Sequence, residues 1–212
     1  KRDLATKRRA EHLYNWEANK RKLQQSSFNE SKYSDDFDNH FDSFHDSFGS
    51  KGKERYLPSF DESSSMLGEA QWSWLDKKLS LKSDIKIVVS AIQFLAVGHG
   101  WESWAMLPLE REKLINIIDK YNLNNIIFIT GDRHRGGIYK MKTQNENIVF
   151  DITSSPINSS TYPGEEEGVY RLGNTYTETN FGLMTIDLLS KSTIFELKDK
   201  YGNSVISEKL LY

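Results

Sequence analysis

The sequence predicts a mixed α/β (α+β) fold, mainly because an amphipathic helical pattern lies between two buried strands. Residues 85–94, IKIVVSAIQF, form a β-branched apolar run of strand length, and NNIIFITGD contains another. Between these runs, apolar residues recur at steps of three and four, at Leu114, Ile117, Ile118 and Tyr121. A strand, a helix and a strand in this order predict a parallel pair joined by a crossover helix.

The elements around this unit follow from similar patterns. Trp72, Leu75 and Leu79 have helical spacing in GEAQWSWLDKKL, so a helix is expected before the first strand. Pro108 stands where the first turn of the crossover helix accepts a proline. Shorter apolar segments with turn residues between them predict antiparallel sheet in the last third of the chain, at residues 138–142, 148–153, 181–188, 193–198 and 205–210.

The first 65 residues lack this regularity. Residues 1–25 are strongly charged and fit a helical stripe only loosely, which favours a solvated basic helix over a nucleic-acid-binding arm. Residues 26–65 are rich in Ser, Asp and Phe, and we interpret them as a surface insertion. The alternative is a helix that docks to a protein partner, because four phenylalanines have helical spacing: Phe37, Phe41, Phe44 and Phe48.

Composition limits the classes of function. The 212 residues carry a formal net charge of -2, which gives no general attraction to nucleic acid or anionic lipid, so any anion must be bound at a local site. No stretch approaches the roughly 18 apolar residues that a membrane span requires. The chain has no cysteine, which excludes disulfides and thiolate metal ligands and leaves the compartment open.

The segment ITGDRHRGG follows the second strand with four ionisable residues in a row. Functional groups collect at the carboxyl ends of strands in open α/β sheets. Asp132 and His134 are separated by one residue, so their side chains can lean to the same side and offer an oxygen and a nitrogen to a metal ion. Iron, zinc or manganese would suit this pair, with calcium or magnesium at an oxygen-rich second position.

Arg133 and Arg135 in the same segment are suited to holding phosphate oxygens through their planar donor forks. The structural alternative stays open. In that interpretation Asp132 caps a turn, His134 is a hydrogen-bonded boundary residue, and the arginines pair with carboxylates.

A second unusual stretch, AVGHGWESW, follows the first strand. His99, Trp101 and Glu102 form either a wall of the same pocket or an aromatic lid over the core, whereas Trp104 is expected to be mainly architectural. The chain has no G-x-S-x-G elbow, P-loop or Rossmann glycine pattern, which weighs against a serine hydrolase and against nucleotide binding.

Six blocks of the sequence, in order, resemble the carboxyl-terminal half of the PhoD-like (alkaline phosphatase D) family of calcineurin-like metallophosphoesterases. They are MLGEAQWSWL, IVVSAIQ, HGWESWAMLPLEREKL, IIFITGDRH, DITSSPIN and NFGLMTIDL, and the resemblance covers about residues 56–197. It implies an αββα fold, a two-sheet sandwich flanked by helices. It also implies hydrolysis of phosphate mono- or diesters by attack of metal-bound hydroxide on phosphorus, with no further catalytic side chain.

GDRH corresponds to the last metal-binding motif of that family, so the resemblance implies that Asp132 and His134 are metal ligands. Iron with calcium is the implied metal pair, a small phosphoester the implied substrate, and export to the periplasm or medium the favoured location. The earlier family motifs, a Gly-Asp with a following tyrosine and an Asp-Asp-His-Asp-Tyr type stretch, are missing.

We therefore expect residues 1–55 to be a charged region of uncertain status and residues 56–212 to be the carboxyl-terminal half of the domain. We expect this chain to be a fragment of a larger phosphatase, or a sequence with gaps. By itself, such a chain should bind metal weakly. The alternative function is that of a non-catalytic relative, a binding or structural subunit.

Overall fold

A computed structural model of the protein describes residues 56, 58–97, 99–124, 126–162 and 168–211. The helix predicted over residues 1–25 lies outside the described residues, and so does most of the Phe-rich segment. Both expectations, and the division of the chain at residue 55, therefore stay predictions.

Both helices expected in the middle of the chain are present. Helix α1 spans Gly68–Leu79 and buries the three residues that predicted it, Trp72, Leu75 and Leu79. Helix α2 spans Pro108–Lys120, with the proline in its first turn, where its missing N–H is not needed. A short 3₁₀ helix, Trp104–Met106, precedes α2. Neither α-helix has the length or the apolar character to cross a membrane, and the described residues contain no other candidate.

The first sheet has four strands in the order β1-β2-β4-β3. They are β1 (Lys86–Val89), β2 (Ile126–Thr130), β3 (Gly137–Lys142) and β4 (Ile148–Thr153). β1 and β2 are parallel, which confirms the predicted crossover. β4 also runs parallel to β2, and only β3 is antiparallel. The antiparallel pairing expected for this part of the chain is present between β3 and β4, but the parallel pairing of β4 with β2 was not expected, because an apolar run does not encode the direction of its neighbour.

The strand predicted over residues 85–94 is shorter than expected, because β1 ends at Val89. Ser90 Oγ donates to the carbonyl of Ile92 at 2.7 Å and closes a turn there. The backbone N–H groups of Phe94 and Leu95 then donate to the Asp151 carboxylate instead of a neighbouring strand. The second half of this apolar run is therefore a buried loop at the end of the sheet.

The second sheet is antiparallel, as predicted, and has the order β5-β6-β7. Its strands are β5 (Asn180–Asp187), β6 (Ser192–Asp199) and β7 (Ser204–Leu211). One apolar cluster lies between the helices and the first sheet, and another joins the two sheets. This helix–sheet–sheet order agrees with an incomplete metallophosphatase-type sandwich.

The carboxylate of Glu110 joins the two helices. It lies on α2, is buried, and accepts hydrogen bonds from the backbone N–H groups of Met66 and Leu67, at 2.7 and 3.3 Å, and from Ser65 Oγ at 3.0 Å. The indole N–H of Trp72 donates to the same carboxylate. Burial acts to raise the pKa of Glu110, but these four hydrogen bonds outweigh it and lower the pKa below its usual value.

We predict that Glu110→Gln destabilises the fold by about 2–4 kcal/mol at neutral pH, because an amide group cannot accept all four hydrogen bonds. The folded-state pKa of Glu110 lies below the unfolded one, so its contribution is present above the unfolded pKa and is lost as pH falls through the folded value. Urea unfolding of both proteins should therefore give a stability difference that shrinks below about pH 4.

Glu112→Gln is the matched control, two residues further along the same helix. Burial raises the pKa of Glu112, so its ionised form is disfavoured in the folded protein and the substitution should be neutral or slightly stabilising at pH 7. Equal losses of stability in the two variants would contradict the role given to Glu110.

Candidate metal and phosphate site

The ionisable segment lies in the connection between β2 and β3, at the carboxyl end of β2. Asp132 and His134 both have left-handed backbone conformations, with φ of 66° and 55°. Such values are uncommon for residues other than glycine, although Asp and His adopt them more readily than most residues. Three of the other described residues also have them: Asn122, Glu146 and Lys191. The N–H of Arg133 donates to the carbonyl of Gly131 at 2.8 Å, which tightens the turn between them.

Burial alternates along this segment. Asp132 is exposed and His134 half-buried, whereas Arg133 and Arg135 retain only 7% and 4% of their accessible surface. The two residues predicted to bind metal therefore lie closer to solvent than the two arginines.

His134 is held from two sides. Its backbone N–H donates to Ser155 Oγ at 3.2 Å, and its ring stacks on Tyr162 with centroids 5.2 Å apart and planes 14° from parallel. Its Nδ1 atom is buried and has no hydrogen-bond partner among the described residues. A fixed imidazole whose buried nitrogen has no hydrogen-bond partner among the described residues is suited to binding a metal ion, because coordination would give that nitrogen a partner.

The fit to a metal is partial. The described part of the chain contains no group of three or more His, Asp or Glu residues that could hold an ion. Catalytic zinc sites, for comparison, use three protein ligands. Asp132 and His134 therefore account for part of a coordination shell.

Arg133 belongs to the ionisable segment, and its side chain reaches the stretch that follows β1. Its guanidinium carbon is 5.7 Å from the centre of the Trp101 ring, a cation–π arrangement. Burial, and then the charge of Arg135, lower the pKa of Arg133 to about 10. The side chain is therefore still charged at neutral pH.

Arg135 has hydrogen bonds to the segments that follow β4. One terminal nitrogen donates to the carbonyl of Tyr162 at 3.1 Å and the other to Thr175 Oγ1 at 3.4 Å. These bonds tie the end of the ionisable segment to the rest of the fold. They favour a loop-fixing role for Arg135 beside the phosphate contact predicted from the sequence.

His99, Trp101 and Glu102 are half-buried. All three interact with Arg133: the Trp101 ring by a cation–π contact, and His99 and Glu102 electrostatically. Burial, followed by the charges of Arg133 and Arg135, lowers the pKa of His99 well below its usual value. Glu102 acts in the opposite direction on Arg133 and raises the pKa of the guanidinium. The structure thus brings the three expected wall residues near Arg133.

Trp104 is buried and packs edge-on against Trp72 and Phe94, at centroid distances of 6.2 and 5.6 Å. Its indole N–H donates to Ser90 Oγ at 3.1 Å. These contacts agree with the architectural role expected for it.

Comparisons with known proteins identify the family of the chain. A family model described as PhoD-like phosphatase matches residues 22–192. Alkaline phosphatase D of Bacillus subtilis (strain 168) is 31% identical over 120 residues, which are 50% of this chain and 20% of that protein. A solved structure described as "Structure of PhoD" is 20% identical, with a TM-score of 0.49, over 71% of this chain and 38% of that one. The chain thus spans well under half the length of either relative.

Two residues that support the site were missed in the sequence. Tyr162 occurs in a polar loop, where no periodicity marks it. Asp151 stands within the apolar strand IVFDIT, and that position was a usable signal, because ionisable residues are seldom fully buried without partners.

Asp151 is completely buried below the site. Its carboxylate accepts the N–H groups of Phe94 and Leu95, at 2.7 and 2.8 Å, and the hydroxyl of Thr130 at 2.6 Å. Burial raises the pKa of Asp151, although its hydrogen bonds act to lower it. The side chain therefore fixes the start of the segment that carries the wall residues.

We predict that Asp151→Ala lowers the free energy of unfolding by about 2–5 kcal/mol, because three buried donors lose their acceptor. Urea unfolding measures this loss, and the amide signals of Phe94 and Leu95 should shift in a ¹H–¹⁵N correlation spectrum. Asp187→Ala is the matched control. Asp187 also accepts two backbone N–H groups, from Leu189 and Ser190, but is exposed. A similar loss in both variants would contradict the importance of burial.

Proposed function

The chain belongs to the PhoD-like phosphatase family, and we propose that the full-length protein hydrolyses phosphate mono- or diesters in a metal-dependent reaction. One observation above all supports this proposal. His134 holds a buried imidazole nitrogen without a hydrogen-bond partner among the described residues, two positions from the exposed Asp132 on a left-handed turn. Beside this turn, Arg133 supplies a buried positive charge for the phosphate.

Asp132 and His134 are the residues that would hold the metal. Iron with calcium is our first choice, and zinc, manganese or magnesium are alternatives that accept the same donor types. A metal ion in this position would supply Lewis-acid polarisation of the phosphoryl group and lower the pKa of water.

The remaining residues have roles in binding. Arg133 attracts the non-bridging oxygens of the substrate, while the Trp101 ring beside it limits where the guanidinium can lie. Glu102 offsets part of the positive charge, and Arg135 keeps the segment attached to the loop that contains Tyr162. The expected substrate is a small phosphoester. From the family resemblance we also propose that the protein is exported.

Asp132→Asn in the full-length protein should reduce phosphoesterase activity by at least about 100-fold and remove bound metal, because an amide is a much weaker ligand than a carboxylate. A chromogenic mono- and diester assay with and without a chelator, together with metal analysis by mass spectrometry, measures both effects. Asp84→Asn, at an exposed position before β1, is the control and should leave both unchanged. Full activity in Asp132→Asn would refute the assigned ligand. A metal-loaded protein that hydrolyses neither ester would instead support the non-catalytic alternative.

Arg133→Lys should raise the KM for the phosphoester by about 10-fold, with a smaller effect on kcat, because a lysine cannot reproduce the planar donor fork. Arg135→Lys is the comparison. Its hydrogen bonds to Tyr162 and Thr175 lead us to expect a lower thermal stability with a smaller change in KM. Initial-rate kinetics and thermal melts separate the two, and an unchanged KM in Arg133→Lys would contradict the phosphate-binding role.

A further inference from the structure

The two ring nitrogens of His99 have different surroundings. Nδ1 accepts a hydrogen bond from the backbone N–H of Trp101 at 3.1 Å, so the proton of the neutral ring belongs on Nε2. Nε2 is buried and has no hydrogen-bond partner among the described residues. A buried donor without an acceptor costs free energy, and an acceptor supplied by a ligand would remove that cost.

The surroundings of this donor favour an anion. Arg133 and Arg135 both act on His99 with positive charge. The acidic side chains of Asp132 and Glu102 affect Arg133 less strongly than Arg135 does. A negatively charged acceptor would therefore satisfy the histidine donor and reduce the repulsion between the guanidinium groups in one step.

We propose that His99, through its Nε2–H group, binds a non-bridging oxygen of the phosphoryl group together with Arg133. The identity of this anion rests on the proposed function. His99 contributes direction, because one N–H group fixes the position of one oxygen, whereas the guanidinium supplies most of the charge. As a neutral ring it does this without a third positive charge beside the two arginines.

A purely structural role for His99 makes a different prediction. In that role the ring serves only as an acceptor for the Trp101 N–H, and Nδ1 is the atom that matters. Asparagine places its side-chain oxygen near the position of Nδ1, and glutamine places its amide near that of Nε2. His99→Asn therefore preserves the structural contact, whereas His99→Gln preserves the proposed donor.

The test measures the binding of inorganic phosphate to the chelator-treated full-length protein, by ³¹P NMR titration or by calorimetry. Wild type and His99→Gln should bind phosphate within about threefold of each other. His99→Asn and His99→Phe should bind about 10- to 100-fold more weakly, the effect of losing one hydrogen bond to a charged group. Orthophosphate inhibition and the KM of the metal-loaded protein should change in the same order, with kcat less affected.

Equal phosphate affinity in all four proteins would overturn the proposal, and so would the absence of phosphate binding in metal-free wild type. Weaker binding in His99→Gln than in His99→Asn would overturn it in favour of the structural role. Phosphate binding that depends on the donor at position 99, in a protein that hydrolyses no ester, would support this inference while the proposed function fails.

Discussion

The geometry of the site depends on the buried carboxylate of Asp151. It accepts hydrogen bonds from the N–H groups of Phe94 and Leu95, in the loop that leaves β1, and from the hydroxyl of Thr130 at the end of β2. One side chain on β4 therefore sets the distance between two loops that follow neighbouring strands. Together with the contact between Arg133 and the Trp101 ring, this acceptor positions the segment that contains His99 relative to the segment that contains His134.

The buried polar groups around Asp151 extend this support across the sheet. Thr130 Oγ1 and Thr153 Oγ1 lie 2.8 Å apart, and the Gln93 amide donates to Thr153 Oγ1 at 2.7 Å. All of these residues are at the carboxyl ends of the parallel strands or just beyond them. Buried hydrogen bonds of this kind are costly to break singly. The platform under the site is thus polar and rigid, while the layers on either side are held by apolar contact.

Much of the fold was predictable because helices and buried strands have strong local patterns. The positions of α1 and α2 follow from periodicity, and the parallel pairing of β1 with β2 follows from the helix that lies between them in the chain. The early end of β1 was not predictable, since the apolar run continues beyond Val89 and the acceptor that binds the N–H of Phe94, the Asp151 carboxylate, lies 57 positions later in the chain. The parallel pairing of β4 with β2 was not predictable either, because the pattern of an apolar strand is compatible with both parallel and antiparallel neighbours.

The candidate site shows the same division. Asp132 and His134 were noticed as a dense ionisable cluster, and the family resemblance gave them a role. Their left-handed backbone and the alternation of burial became visible only in three dimensions. Tyr162 could not have been found from local pattern, because its importance comes from a contact between loops 28 residues apart in the chain.

Tyr162 contacts two side chains of the candidate site, since its ring lies flat on His134 and its backbone carbonyl accepts a hydrogen bond from Arg135. The residue is itself about half exposed, at 49%. A displacement of this one loop residue would therefore loosen an imidazole and a guanidinium at the same moment. The contact with Arg135 is made by the backbone carbonyl, which every amino acid has, so a substitution at position 162 would remove the support of the His134 ring and leave the acceptor for the arginine in place.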